Sequence, residues 1–204
     1  MNLTVFLYAI GFAFLGYLSG SLPFSIWVTR LIKGVDVRDS GSGHATTTNT
    51  FRQAGFLPGA LVLILDITKG FLPTWLALRY APTGWIIPLT AFLTVVGHCW
   101  PVFAGFRGGM GMASAQGALL AAAPLAVPVC VGFVVLLMLI LKHSARASIF
   151  AGLSFAPLVW LVGLRGIVIW VALAVGLVIA IRYLIDWNRE YKELWLDRDK
   201  KTTD

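Results

Sequence analysis

Charge is scarce in this chain. Asp, Glu, Lys and Arg make up 12% of its 204 residues, about half the share usual in soluble domains. A water-soluble globule is therefore excluded. Acidic residues are scarcer still, and Asp66 is the only one inside the long apolar segments. Paired carboxylates, a cluster of metal-ligating side chains and a Ser-His-Asp pattern are all missing, which argues against two-carboxylate, metal-assisted and triad chemistry. The two cysteines, Cys99 and Cys130, sit in apolar or near-apolar surroundings and imply neither a disulfide framework nor a zinc site. No repeat relates the two halves, which weighs against a small transporter built on internal symmetry.

What is present is apolar sequence: 58% of the residues are hydrophobic, in runs that recur at the roughly 20-residue length needed to cross a bilayer. Apolar segments lie near 3–29, 57–78, 85–103, 112–141, 147–163 and 167–185. The first lacks a basic leader and is too long for a signal-peptide core, so it reads as a retained helix. The expectation is an all-α polytopic membrane protein of about seven transmembrane helices, with residues 1–204 forming one domain. The tail from Arg182 to Asp204 alternates charge with aromatics, as an interfacial amphipathic helix would.

Orientation follows from the basic residues. The loop 30–56, Arg107, Lys142, Arg146 and the tail hold most of the positive charge, whereas Arg79 and Arg165 stand alone in the other connections. Placing the rich set in the cytoplasm puts the amino terminus outside and the carboxyl terminus inside. Residues 110–141 must then leave the cytoplasmic face and return to it. They span only about 48 Å as helix, against about 60 Å for two crossings. One arm must be short or broken, with Pro124 and Pro128 as breakpoints. The basic residues are scattered among spans and tails, so no nucleic acid is expected as a partner.

Three polar stretches interrupt the apolar pattern. In "RDSGSGHATTTNTFR" (38–52), Gly41 and Gly43 flank Ser42, and Asn49 and Arg52 are spaced to share a helical face. Arg suits forked contact with phosphate oxygens; the plainer reading is a solvated loop ending in a helix N-cap. Asp66 and Lys69 are three apart inside an apolar segment, where ionisable residues pair and mark functional cavities. In "GHCWPVFAGFRGGMG" (97–111), His98 precedes Arg107, Gly108, Gly109 and Gly111. Glycine turns can aim backbone N–H groups at an anion, and a helix start adds its positive end. Hydroxyls, glycine turns and cations on one membrane face describe a pocket for a phosphorylated substrate.

With these residues in view, "GYLSGSLPFSIWVTRLIKGVDVRDSGSGHATTTNTFRQAG", "LDITKG" and "GHCWPVFAGFRGGMGMAS" resemble, in order and separation, the bacterial acyl-phosphate:glycerol-3-phosphate acyltransferase family called PlsY. The resemblance is close over the amino-terminal three-fifths and rests mainly on hydropathy after that. It implies a seven-span inner-membrane enzyme of phospholipid synthesis with a cytoplasmic active site. Its partners would be acyl phosphate, glycerol 3-phosphate and membrane lipids, with no metal or other cofactor, and the chain would act as a monomer. Ser42, Arg52 and His98 are then the candidate catalytic residues. Gly41, Gly43, Asn49, Lys69, Arg107, Gly108, Gly109, Gly111 and Ser148 are the candidate substrate contacts, with Asp66 and Lys69 as a structural ion pair. The sequence departs from the family pattern at His44 (Asn in the family), Thr46 (Gly), Met110 (Lys), Ala145 (Ser), Tyr183 (His) and Asp186 (Asn). Thr46 is expected to set the loop on a different course, and Arg146 or Lys142 to replace the charge lost at Met110. A substrate-altered or inactive paralogue, or a small transporter, is the alternative.

Overall fold

The computed structural model describes residues 2–188, so most of the expected amphipathic tail lies outside the described residues. Among them are nine α-helices: α1 (Leu3–Gly20), α2 (Phe24–Lys33), α3 (Thr47–Ala54), α4 (Phe56–Tyr80), α5 (Ile86–Cys99), α6 (Met112–Ala122), α7 (Ala126–Leu141), α8 (Ser144–Leu161) and α9 (Ile167–Leu184). Five stretches are long and apolar enough to cross a membrane, the first being α1 and α2 together, while α6 and α7 are shorter apolar helices. The fold is all-α and membrane-spanning, as the sequence indicates.

The expected single short arm becomes two. At 11 and 16 residues, α6 and α7 reach about 16 Å and 24 Å. The break sits at Ala123, whose φ of −164° is extended, the backbone that a following proline favours. Pro128 does not break the chain. It lies in the first turn of α7, where a missing N–H costs no intrahelical bond.

The first apolar segment is not one helix, and the break between α1 and α2 falls at Ser21–Pro23. That break leaves the Leu22 carbonyl exposed to a partner, and Lys69 Nζ donates to it at 2.8 Å. Another carbonyl without its helical partner arises inside α4. Pro73 lacks the N–H that would reach back one turn to Lys69, and the Ser19 hydroxyl donates to the Lys69 carbonyl instead, at 3.0 Å. Both broken backbone bonds are thus satisfied at membrane depth, as a bilayer core demands.

Helix α4 lies so close to α6 that a Cβ on Gly70 would strike the Ser114 carbonyl, and one on Gly117 the Ile67 carbonyl. Small residues permit such backbone approach between membrane helices. The apolar core runs through α5, α6, α8 and α9, around Phe155, Leu119, Val171, Val175 and Ile179. A smaller cluster of Ile26, Val37 and Ala45 pins the loop between α2 and α3 to the helix bundle.

Candidate functional site

The loop 34–46, helix α3, the turn 100–111, the start of α8 and the end of α9 gather at one end of the bundle, around a cavity of about 640 Å³. Its polar end is walled by Ser42, Thr46, Thr47, Arg52, Asp66 and His98. Its apolar arm runs inward between Leu63 and Ile67 of α4, Met112 of α6, and Val127, Val131 and Met138 of α7.

The loop takes its shape from short-range chemistry. Gly34 ends α2 in the left-handed region, at φ +72°. Asp36 then accepts from Arg38 Nε at 3.0 Å, Arg38 Nη2 at 2.8 Å and Arg30 Nη2 at 2.6 Å. The Arg38 hydrogen bond, more than the neighbouring charges, pulls the Asp36 carboxyl down to about 2. Through Nη1, Arg38 also donates to the Ala104 and Arg107 carbonyls, joining the loop to the turn 100–111. Thr46 does not redirect the loop. It sits at φ −118° as the N-cap of α3, accepting from Asn49 N, and this extended conformation has no need of glycine.

The residues singled out in the sequence divide into two groups. Ser42, Arg52, Asp66, His98 and Gly111 reach the cavity wall; Gly41, Gly43, Asn49, Lys69, Arg107, Gly108, Gly109 and Ser148 do not. Asn49 and Arg52 do not act from one face. The buried Asn49 amide turns to the loop and donates to the Val37, Ser40 and His44 carbonyls, whereas Arg52 faces the cavity.

The glycine turn also differs from the expectation that its N–H groups aim at an anion. Gly108 N donates to the Cys99 carbonyl and Gly109 N to the His98 carbonyl, because the turn folds back against the end of α5. A Cβ on Gly109 would strike His98 Nε2 and the Ala45 carbonyl. Close packing against the His98 ring and the Ala45 backbone, rather than anion contact, explains that glycine. Arg107 is exposed. The start of α6 does face the cavity, through Gly111, Met112 and Ala113, so the positive end of that helix points into it.

Asp66 and Lys69 form an ion pair of 2.8 Å, both side chains nearly fully buried. Asp66 also lies 3.7 Å from His98 Nδ1 and accepts from the Thr47 hydroxyl at 3.4 Å. On α8, Ser144 reaches the wall, while Ser148 is buried one turn deeper beside Tyr183. Neither Lys142 nor Arg146 takes the place of a lysine at position 110. Both are exposed, and Arg146 stacks on the Trp187 ring at 5.4 Å. Among the described residues, Arg52 is the only Arg or Lys on the cavity wall. Also among them, no three His, Cys, Asp or Glu side chains are grouped to hold a metal ion.

Sequence reasoning missed Arg182. It is buried at the end of α9, donates from Nε to the Gly109 carbonyl at 3.1 Å, and lies with Nη2 3.2 Å from His44 Nδ1. His44 Nε2 in turn lies 2.7 Å from Asp186 Oδ2. Two departures from the family pattern, His44 and Asp186, are therefore bonded to each other. The available signal was the spacing of Arg182 and Asp186, four apart and so on one face at the end of an apolar helix.

Comparison with known proteins agrees with this arrangement. The glycerol-3-phosphate acyltransferase of Aquifex aeolicus is 36% identical over 176 residues, covering 85% of this chain and 90% of that protein. That of Myxococcus xanthus is 42% identical, covering 68% and 72%. The match to glycerol-3-phosphate acyltransferase 2 of Thermotoga maritima is 43% identical but spans about half of each chain, 52% and 54%. Crystal structures of PlsY, an integral membrane glycerol 3-phosphate acyltransferase, superpose with TM-scores of 0.76 for its glycerol 3-phosphate form and 0.75 for its lysophosphatidic acid form. At 34% and 32% identity, each covers 89% of this chain and 90% of that one. With residues 10–193 matching the glycerol-3-phosphate acyltransferase family as a whole, the chain belongs to that family.

Proposed function

We propose that this protein transfers an acyl chain from an acyl phosphate to glycerol 3-phosphate, giving lysophosphatidic acid and inorganic phosphate. The observation that carries this reading is the shape of one cavity. A polar end with Ser42, Arg52, His98 and the start of α6 opens into an apolar arm between α4, α6 and α7. Such a cavity can take a phosphorylated headgroup and an acyl chain together.

In this reaction a glycerol 3-phosphate hydroxyl oxygen attacks the acyl carbon. The bond from that carbon to the phosphate oxygen breaks, and the hydroxyl proton ends on the departing phosphate. Arg52 supplies a forked cation for phosphate oxygens. Ser42 and the N–H groups at the start of α6 offer donors to oxygen charge that grows in the transition state. His98, backed by Asp66, shapes the wall between the two ends. Holding both substrates in one cavity lowers the entropy cost of their meeting. We place the polar end in the cytoplasm of a cell membrane, amino terminus outside, with residues 1–204 as one domain acting as a monomer. The test is phosphate release by purified protein in lipid, supplied with long-chain acyl phosphate and glycerol 3-phosphate. Release must require both substrates and fall about tenfold or more in Arg52→Ala at low glycerol 3-phosphate.

One observation favours a second reading within the family. Met110 stands on the cavity wall where the family pattern has lysine, and neither Lys142 nor Arg146 reaches that wall. A folded protein without turnover, restored by Met110→Lys, would mark it as a paralogue that has lost or changed its substrate.

A further inference from the structure

Three parts of the cavity wall belong to distant stretches of chain: the loop with Ser42 and His44, the turn with Met110 and Gly111, and the end of α9 with Tyr183. A single buried side chain touches or supports all three. Arg182 leaves α9, donates to the Gly109 carbonyl in the turn, and reaches His44 in the loop. Its guanidinium also lies over the Trp100 ring, 5.9 Å from the centroid, where α5 ends. His44 closes the circuit through Asp186, in the turn just after α9. Arg182, His44 and Asp186 are 8%, 8% and 9% exposed, so these contacts are made largely out of water, where each bond is stronger and a lost partner costs more.

The proton positions follow from the partners. A guanidinium only donates, so His44 Nδ1 is the acceptor and Nε2 carries the hydrogen given to Asp186. Both ring nitrogens are engaged, which fixes the ring at the cavity wall and leaves it unsuited to taking a proton from substrate. We propose that Arg182, His44 and Asp186 form a clasp that holds the first loop and the glycine turn at the separation the glycerol 3-phosphate headgroup requires, with Arg182 as the principal positioning residue. The proposal rests on the acyltransferase reading and adds to it the means by which the headgroup end is assembled.

A reciprocal exchange tests it. His44→Asp faces two carboxylates, and Asp186→His faces two imidazoles. The double exchange keeps the combined reach of the two side chains, gives Arg182 an acceptor at position 44 and restores a His–Asp bond. Each protein is purified in lipid, and kcat, KM for glycerol 3-phosphate and melting temperature are measured. Each single variant is expected to raise KM about tenfold or more, with a smaller change in kcat, and the double exchange to recover most of it. Arg182→Lys keeps the charge but loses the planar fork that bridges the Gly109 carbonyl and His44. It is expected to raise KM while its melting temperature stays near that of the wild type.

Single losses that multiply in the double exchange, or a wild-type KM in Arg182→Lys, overturn the clasp. Wild-type protein that neither binds nor turns over glycerol 3-phosphate overturns the acyltransferase reading, and the positioning role with it. The contact itself is then judged by melting temperature: recovery in the double exchange supports it, and additive losses overturn it.

Discussion

The Asp66 carboxylate and the Lys69 ammonium lie 2.8 Å apart on one face of α4, each nearly sealed from solvent. The ammonium also donates to the Leu22 carbonyl at the break between α1 and α2. Lys69 therefore joins two helices and neutralises a carboxylate beside the cavity. Removing one member of a buried pair typically costs about 3–5 kcal/mol, because the other charge is stranded. Lys69→Met is expected to lower the melting temperature of the purified protein sharply. Asp66→Leu combined with Lys69→Met should recover most of that loss while leaving acyl transfer impaired, since Asp66 also holds Thr47 and faces His98. A double variant as unstable as Lys69→Met would show that the ammonium acts mainly through Leu22.

Among the described residues Arg52 is the only Arg or Lys on the cavity wall, and the proposed reaction assigns it the substrate phosphate. Hydrogen bonds to charged groups contribute about 1.5–3 kcal/mol, so Arg52→Ala should cost roughly 10- to 150-fold in kcat/KM for glycerol 3-phosphate. Arg52→Lys keeps the charge without the fork and should fall between. Steady-state phosphate release reads both, and equal losses in the two variants would show that geometry alone matters there.

The sequence made the apolar segments, the broken 110–141 arm and the polar end legible because each rests on a local signal: apolar length, proline, or clustered hydroxyls and glycines. It did not reveal the hydrogen bonds of residues whose partners lie elsewhere in the fold. Asn49 and Gly109 sit in stretches suited to phosphate binding. They spend their hydrogen bonds on the Val37, Ser40 and His44 carbonyls and on the His98 carbonyl, which no one-dimensional spacing could reveal. The break between α1 and α2 was hidden for a similar reason. Ser21–Pro23 lies within an apolar run, and the Leu22 carbonyl is satisfied by Lys69, a residue 47 positions away. Arg182 was overlooked because an arginine at the end of an apolar helix usually snorkels to the headgroups; here it turns inward to Gly109.

The loop clamp makes a separate claim about pH. Arg38, assisted by Arg30, holds the Asp36 carboxyl at about 2, against an ordinary value of 3.8. The folded value is depressed, so the contribution to stability is complete above about pH 4 and is lost as pH falls through the folded value. Asp36→Asn should therefore be less stable than the wild type at pH 7, by on the order of 2 kcal/mol. That gap should stay constant down to about pH 4 and close below it. Melting curves of the two proteins across this range check the sign, and a gap that closes between pH 5 and 7 would assign the clamp to another group.

On the proposed acyltransferase reading, the apolar arm holds the acyl chain, and its dimensions are expected to set which chains fit. Val127, Val131 and Met138 line it along α7, a run of about 16 Å at the helical rise. Leu63 and Val131, which line the arm, stay 37% and 40% exposed, leaving space beside them for an acyl chain. A bulky side chain at Val131 would fill the arm midway without touching Arg52 or Ser42. Val131→Trp is expected to cut kcat/KM for long-chain acyl phosphates by about tenfold or more, the scale of a few methylenes denied burial. Short-chain donors and KM for glycerol 3-phosphate should change little. Leu139→Trp serves as the control, since Leu139 is 50% exposed on the same helix and lies outside the cavity wall. If both variants lose all chain lengths equally, α7 supports the fold without measuring the chain; a loss confined to Val131→Trp and long donors makes the arm the acyl ruler.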